Sequence, residues 1–188
     1  MAADATIVPA MLIKAYGLFW QADEIDWHPG RGHRGEFRLL GRVGMNLGTL
    51  RVADFRDQRG LYILYGNYGP YYVGLVRDQP LGKRLKDHLH DHHSGRWDRF
   101  SWFGFRSVLD ASDADGVKRL RARAALSVGP SDEAIADIEA LLIRALGLPS
   151  NRARMKFRDP DAAHWEQVKQ HEVEGLLAKL TPVRPPQM

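Results

Sequence analysis

Gly60-Leu61-Tyr62-Ile63-Leu64-Tyr65-Gly66-Asn67-Tyr68-Gly69-Pro70-Tyr71-Tyr72-Val73-Gly74-Leu75-Val76 is the stretch whose reading decides the fold. Two β-type runs, Gly60 to Tyr65 and Pro70 to Val76, flank a glycine-rich turn and predict a hairpin. Each run carries a tyrosine close to a glycine. A helix from about Leu81 to His93 is predicted to follow at once, with Pro80 suited to its first turn. Leu81, Leu85 and Leu89 form the stripe that would dock it on the sheet, and Arg84 and His88, one turn apart, share a face. Phenol, guanidinium and imidazole groups can thereby gather around one phosphate.

Outward from the hairpin, residues 11 to 20 read as an aromatic, branched strand. Trp27 to Gly35 is a breaker-rich loop, and Phe37 to Val43 and Thr49 to Phe55 are further strand candidates. Residues 1–56 are therefore expected to form a β-rich appendage or extra strands beside the hairpin unit of residues 57–155. Phe100 to Leu109 suits another strand, Ala111 to Gly116 a turn and Lys118 to Leu126 a helix. Ser131 suits the cap of a helix ending at Gly147, with Asp132 and Glu133 at its positive end and Pro149 just beyond. Asp159-Pro160 would open a last helix running to about Leu180, within a C-terminal segment of residues 156–188.

Composition permits a packed domain: of 188 residues, 44% are hydrophobic and 10% aromatic, which argues against general disorder. The net charge of +4 favours an acidic partner, nucleic acid being the commonest. No cysteine is present, which excludes disulfides and thiolate metal sites. No apolar run approaches the ~20 residues that span a bilayer. Residues 1–10 lack a secretion signal, so cytoplasm is the default expectation and no membrane partner is implied.

Gly60-Leu61-Tyr62 and Tyr72-Val73-Gly74, nine residues apart, resemble the two signatures of the GIY-YIG nuclease family, with leucine and valine in place of the isoleucines. Arg84-Leu85-Lys86-Asp87-His88 is similar to that family's helix motif, and Glu139 and Asn151 resemble its metal-binding glutamate and late asparagine. The resemblance covers roughly residues 58 to 152. It implies an α/β (α+β) domain: a small, mostly antiparallel central sheet flanked by helices, here with a β-rich N-terminal extension. It also implies an endonuclease that hydrolyses phosphodiester bonds with one divalent ion, Mg²⁺ or Mn²⁺, leaving a 5′-phosphate and a 3′-hydroxyl. On that basis Tyr62 takes the proton of the attacking water, Tyr72 orients the phosphate, Glu139 holds the metal and Asn151 bonds the backbone or the scissile phosphate.

Residue chemistry adds to this. Ile135, Glu139, Leu142, Ile143 and Leu146 fall in one helical sector, opposite Asp137 and Arg144, so the Glu139 carboxylate points with the apolar face. A carboxylate so placed needs a cation, and a single carboxylate with waters and phosphate oxygens suits Mg²⁺. The planar Arg84 fork can bind two phosphate oxygens, while His88 can donate to the phosphate or position water or a tyrosine. Tyr65, Tyr68 and Tyr71 read as packing residues. His88, His90, His92 and His93 invite a zinc reading through the His88/His92 pair, yet no Glu or Cys accompanies them at a familiar spacing. A helix end facing phosphate or solvent is the preferred reading there.

Lys83, Lys86, Arg96, Arg119, Arg121, Arg152 and Arg154 belong to basic groups that suit salt-sensitive contact with a phosphate backbone, DNA ahead of RNA. Trp97, Trp102, Phe103 and Phe105 interleave with them but alternate as a buried strand does. A homodimer is one arrangement by which both strands of a duplex would be cut. The rival expectations are a nucleic-acid-binding module without turnover and a non-nuclease metal protein organised by the histidines.

Overall fold

The computed structural model describes residues 12–30, 36–46, 48–76, 78–122, 131–147, 157, 159 and 161–180, with the backbone alone for 131–136. In chain order its strands are β1 (Ala15–Gln21), β2 (Leu40–Val43), β3 (Arg51–Asp54), β4 (Gly60–Gly66), β5 (Gly69–Val76), β6 (Arg99–Gly104), β7 (Val108–Ser112), β8 (Lys118–Leu120), β9 (Ala163–His164) and β10 (Glu166–Gln167). The helices are α1 (Leu81–Asp87), α2 (Ser131–Leu146) and α3 (Val173–Leu180). The strands make two five-stranded sheets, ordered β5-β4-β6-β1-β9 and β10-β2-β3-β8-β7. The first is antiparallel but for β1 with β9, the second antiparallel but for β3 with β8. The fold is mixed α/β of the expected α+β kind, built on two sheets instead of one small one.

Side-chain alternation along β4 explains the layering, because successive residues of a strand face opposite ways. Tyr62 and Leu64 enter a cluster with Trp20, Phe55, Phe100, Trp102 and Trp165. Ile63 and Tyr65 enter another with Tyr16, Phe103, Ala140, Leu141 and Ala145. Helix α2 therefore covers one face of the hairpin sheet, while the second sheet and α1 cover the other. Val52, Val117 and Val168 pack with Leu176 of α3 on the far side of the second sheet. The Phe55 ring lies 4.3 Å from that of Trp102 and 5.0 Å from that of Trp165, so it ties the layers together. Phe55→Ala is expected to cost about 3–5 kcal/mol through lost burial and the cavity left behind. Urea denaturation with an unchanged m-value would measure it.

The hairpin falls where expected, and α1 starts as expected, with its Leu81 and Gly82 N–H groups donating to the Gln58 and Arg56 carbonyls at 2.9 and 2.8 Å. Strand β1 is an inner strand of the hairpin sheet, bonded to β6, which matches the extra-strand alternative expected for residues 1–56. Other expectations are corrected by long-range pairing. Phe100 to Leu109 divides into β6 and the start of β7, and Lys118–Leu120 is a strand pinned by Ala53 and β7, not a helix. The last helix starts only at Val173, since β9 and β10 occupy the stretch after Asp159-Pro160 and bond to β1 and β2. Among the described residues no helix is long and apolar enough to cross a membrane.

Candidate functional site

The two motif glycines have structural reasons to be glycine. Gly60 has φ of +145°, and a Cβ there would strike the Phe103 carbonyl of the neighbouring strand. Gly74 pairs with Tyr62 across the hairpin, and a Cβ on it would overlap the Tyr62 ring and hydroxyl. Glycine at 74 thus leaves Tyr62 room to lie flat across β5 towards α1. Gly74→Ala is expected to lower stability by about 1–3 kcal/mol by forcing that ring aside, which thermal unfolding would report.

Tyr62 is fully buried, and its O–H donates to Nε2 of His88 at 2.7 Å. His88 is fully buried too; it follows α1 directly, held by its own N–H to the Arg84 carbonyl and by its carbonyl accepting from Trp97 Nε1. On its other side Nδ1 stands 2.7 Å from Asp91 Oδ2. Burial keeps the His88 ring below the ordinary histidine range despite Asp91, so it is neutral near pH 7. The tautomer follows: the proton sits on Nδ1, facing the carboxylate, and Nε2 is the acceptor for Tyr62. The Tyr62 hydroxyl is pushed up to about 12, by burial foremost and by Tyr72, against the pull of Arg84.

Arg84 is half-buried and engages both phenols; its hydrogen bonding to Tyr62 foremost, then to Tyr72, holds the guanidinium above its ordinary range. The Tyr72 ring centre lies 6.1 Å from that of Tyr62, 5.6 Å from that of His88 and 4.4 Å from that of His93. Tyr62, Tyr72, Arg84 and His88, predicted from spacing, are thus brought together. Tyr62 is not a standing phenolate, however. It is a phenol hydrogen-bonded to neutral His88, whose other nitrogen is backed by Asp91.

Asp91 and His93 join the cluster as two further side chains. The helix was expected to continue to His93, which would align His88 with His92, but α1 ends at Asp87 and the chain turns. Asp91 Oδ1 accepts the His93 N–H at 2.8 Å, so His93 swings in against His88 and Tyr72 while His92 stays exposed. The spacing His88-x-x-Asp91-x-His93 was the signal available. Tyr71 also belongs beside the cluster. Leu64 pairs with Tyr72 and Tyr65 with Pro70, so Tyr71 is the extra residue of a bulge. Its hydroxyl lies 3.3 Å from His93 Nδ1 and 3.4 Å from Arg96. Tyr65 does pack, donating to the Ala145 carbonyl at 2.9 Å, whereas Tyr68 is exposed at the hairpin tip and packs on nothing.

Glu139 is not part of this gathering. Helix α2 packs on the face of the sheet opposite Tyr62, through Ala140, Leu141 and Ala145. Its buried side includes Asp137, and Arg144 lies over the Tyr16 ring at 4.6 Å, whereas Ile138, Leu142 and Leu146 are exposed. The expected wheel, with Asp137 and Arg144 solvated and Leu142 and Leu146 inside, is corrected accordingly. Glu139 is half-buried on that far-side helix. A metal held by Glu139 beside the two tyrosines does not fit this packing, and no step is assigned to one. Asn151, Arg152 and Arg154 lie outside the described residues.

Among the other basic residues, Lys83 is exposed on α1 and pairs with Asp87 at 3.0 Å, and Arg96 is exposed beside Tyr71. The Lys86 ammonium donates to the Trp27 carbonyl at 2.7 Å and sits over the Phe37 ring, so it anchors α1 instead of facing solvent. Arg119 and Arg121 are exposed on and beside β8, in the other sheet. Trp97, Trp102 and Phe103 are core residues. Comparison with family models, curated proteins and solved structures finds no match to this chain.

Proposed function

We propose that this chain is an endonuclease that hydrolyses phosphodiester bonds in nucleic acid, DNA ahead of RNA, at the Tyr62–Tyr72–Arg84–His88 cluster. The observation that carries the reading is the hydrogen-bonded chain Tyr62–His88–Asp91, at 2.7 and 2.7 Å, with a guanidinium against the same phenol. Its order is that of a nucleophile-activating relay: an acceptor for the incoming proton, a neutral imidazole, and a carboxylate that offsets the imidazolium. As water attacks phosphorus and the bond to the 3′-oxygen breaks, Tyr62 passes its proton to His88 Nε2, its oxygen takes one from the water, and the departing 3′-oxygen is protonated from solvent. No free phenolate is needed, which accords with a hydroxyl pushed up to about 12. Arg84 and the Tyr72 hydroxyl offset the charge that gathers on the phosphoryl oxygens. Lys83 and Arg96, both exposed, suit the flanking phosphates.

The motif resemblance supports the same chemistry. Its Mg²⁺ or Mn²⁺ requirement is kept as a condition of the assay, without a role for Glu139. Purified protein with either ion is expected to nick supercoiled plasmid or cut branched DNA, leaving 5′-phosphate ends. Intact products across plasmid, branched DNA and RNA would end the reading.

One observation favours a second reading. With α2 on the far face, the expected metal acid is missing from the cluster, as suits a nucleic-acid-binding module without turnover. Salt-sensitive DNA binding with no cleavage under either ion selects it.

A further inference from the structure

The turn after α1 gathers more ligand chemistry than a proton relay needs. His88, Asp91 and His93 each offer a donor atom, and these atoms all lie within 4.8 Å of one another. Both histidines are buried, at 0% and 5% exposure, and Asp91 is half-buried. The donors are held in place in the free protein. Asp91 Oδ1 takes the His93 N–H, Ser94 Oγ donates to the Leu89 carbonyl at 2.7 Å, and Arg96 N–H closes on the His93 carbonyl at 3.1 Å. The His88 and His93 rings stand perpendicular with centres 4.6 Å apart, and His88 Nδ1 already lies 2.7 Å from Asp91 Oδ2.

We propose that His88, Asp91 and His93 form a binding site for a single transition-metal ion of the Zn²⁺ class. Two imidazoles and one carboxylate, with the fourth position left to water, are a donor set that Zn²⁺ accepts and Mg²⁺, which prefers oxygen, does not. Binding takes His88 through Nδ1 and Asp91 through Oδ2, and the Nδ1 proton leaves to solvent. The ion occupies the two atoms that orient His88 in the relay. Zn²⁺ is therefore an inhibitor of the proposed cleavage, not its cofactor; that consequence rests on the nuclease reading, whereas the binding site does not.

The test is metal competition on tag-free protein, with Zn²⁺ partitioned against a chromophoric chelator in the presence of excess Mg²⁺. The wild type is expected to take one equivalent. His93→Asn and Asp91→Asn are each expected to weaken uptake by about 10²-fold, with unchanged far-UV circular dichroism, and His90→Asn and His92→Asn to leave it as it was. No uptake by the wild type, or uptake that survives both His93→Asn and Asp91→Asn, overturns the site. DNA cleavage by protein that takes no zinc would leave the nuclease reading standing; zinc uptake by protein that cuts nothing would leave this site standing without it.

Discussion

Replacing Arg84 by alanine is expected to lower phosphodiester cleavage by about 10²- to 10³-fold, the usual loss when one donor to a developing oxyanion is removed. Arg84 is half-buried, and among the described residues it engages the Tyr62 and Tyr72 phenols and forms no ion pair with a carboxylate. No acid is left stranded by its removal, so the fold should tolerate the change. Lysine in its place keeps the charge but loses the planar fork that grips two oxygens, so Arg84→Lys should recover only part of the rate. Single-turnover cleavage beside urea denaturation separates the two effects. Equal rates in wild type and Arg84→Ala would remove Arg84 from the chemistry.

Tyr62→Phe is expected to be as damaging and to touch stability as well. The substitution keeps the ring that lies against Gly74 but deletes the hydroxyl that donates to His88 Nε2. A buried acceptor without a partner costs about 1–3 kcal/mol. With no hydroxyl to take the proton of the attacking water, the rate should fall by about 10²- to 10⁴-fold. Tyr65→Phe is the matched control. It removes a buried tyrosine hydroxyl from the next-but-two position of the same strand, on the α2 face, where the lost bond is to the Ala145 carbonyl. It should cost stability without loss of cleavage. If Tyr65→Phe and Tyr62→Phe slowed cleavage equally, the effect would belong to the sheet and not to the relay.

The hairpin and its cluster were legible because their determinants are local. Gly66 to Gly69 set the turn, alternation set the Tyr62 face, and the Arg84/His88 spacing set the helix face, so four groups could be brought together from order alone. The rest depends on partners distant in sequence. Helix α2 carries two stripes that could each be buried, and the small residues Ala140 and Ala145 go inside because the Tyr16, Tyr65 and Phe103 rings already fill that space. An isolated wheel favours the larger Leu142 and Leu146 and so mis-aims Glu139. Strands β9 and β10 are two residues each, too short for any period, and exist because β1 and β2 offer them edges. Asp91 and His93 were hidden by the end of α1 at Asp87, which no glycine or proline announces before Gly95.

The most direct measurement is strand cleavage of end-labelled branched and supercoiled DNA in Mg²⁺ or Mn²⁺ by wild type, Tyr62→Phe and Arg84→Ala, each verified as folded. The account predicts cleavage with 5′-phosphate ends by the wild type alone. A folded wild type that cuts nothing, or variants that cut at its rate, would contradict it.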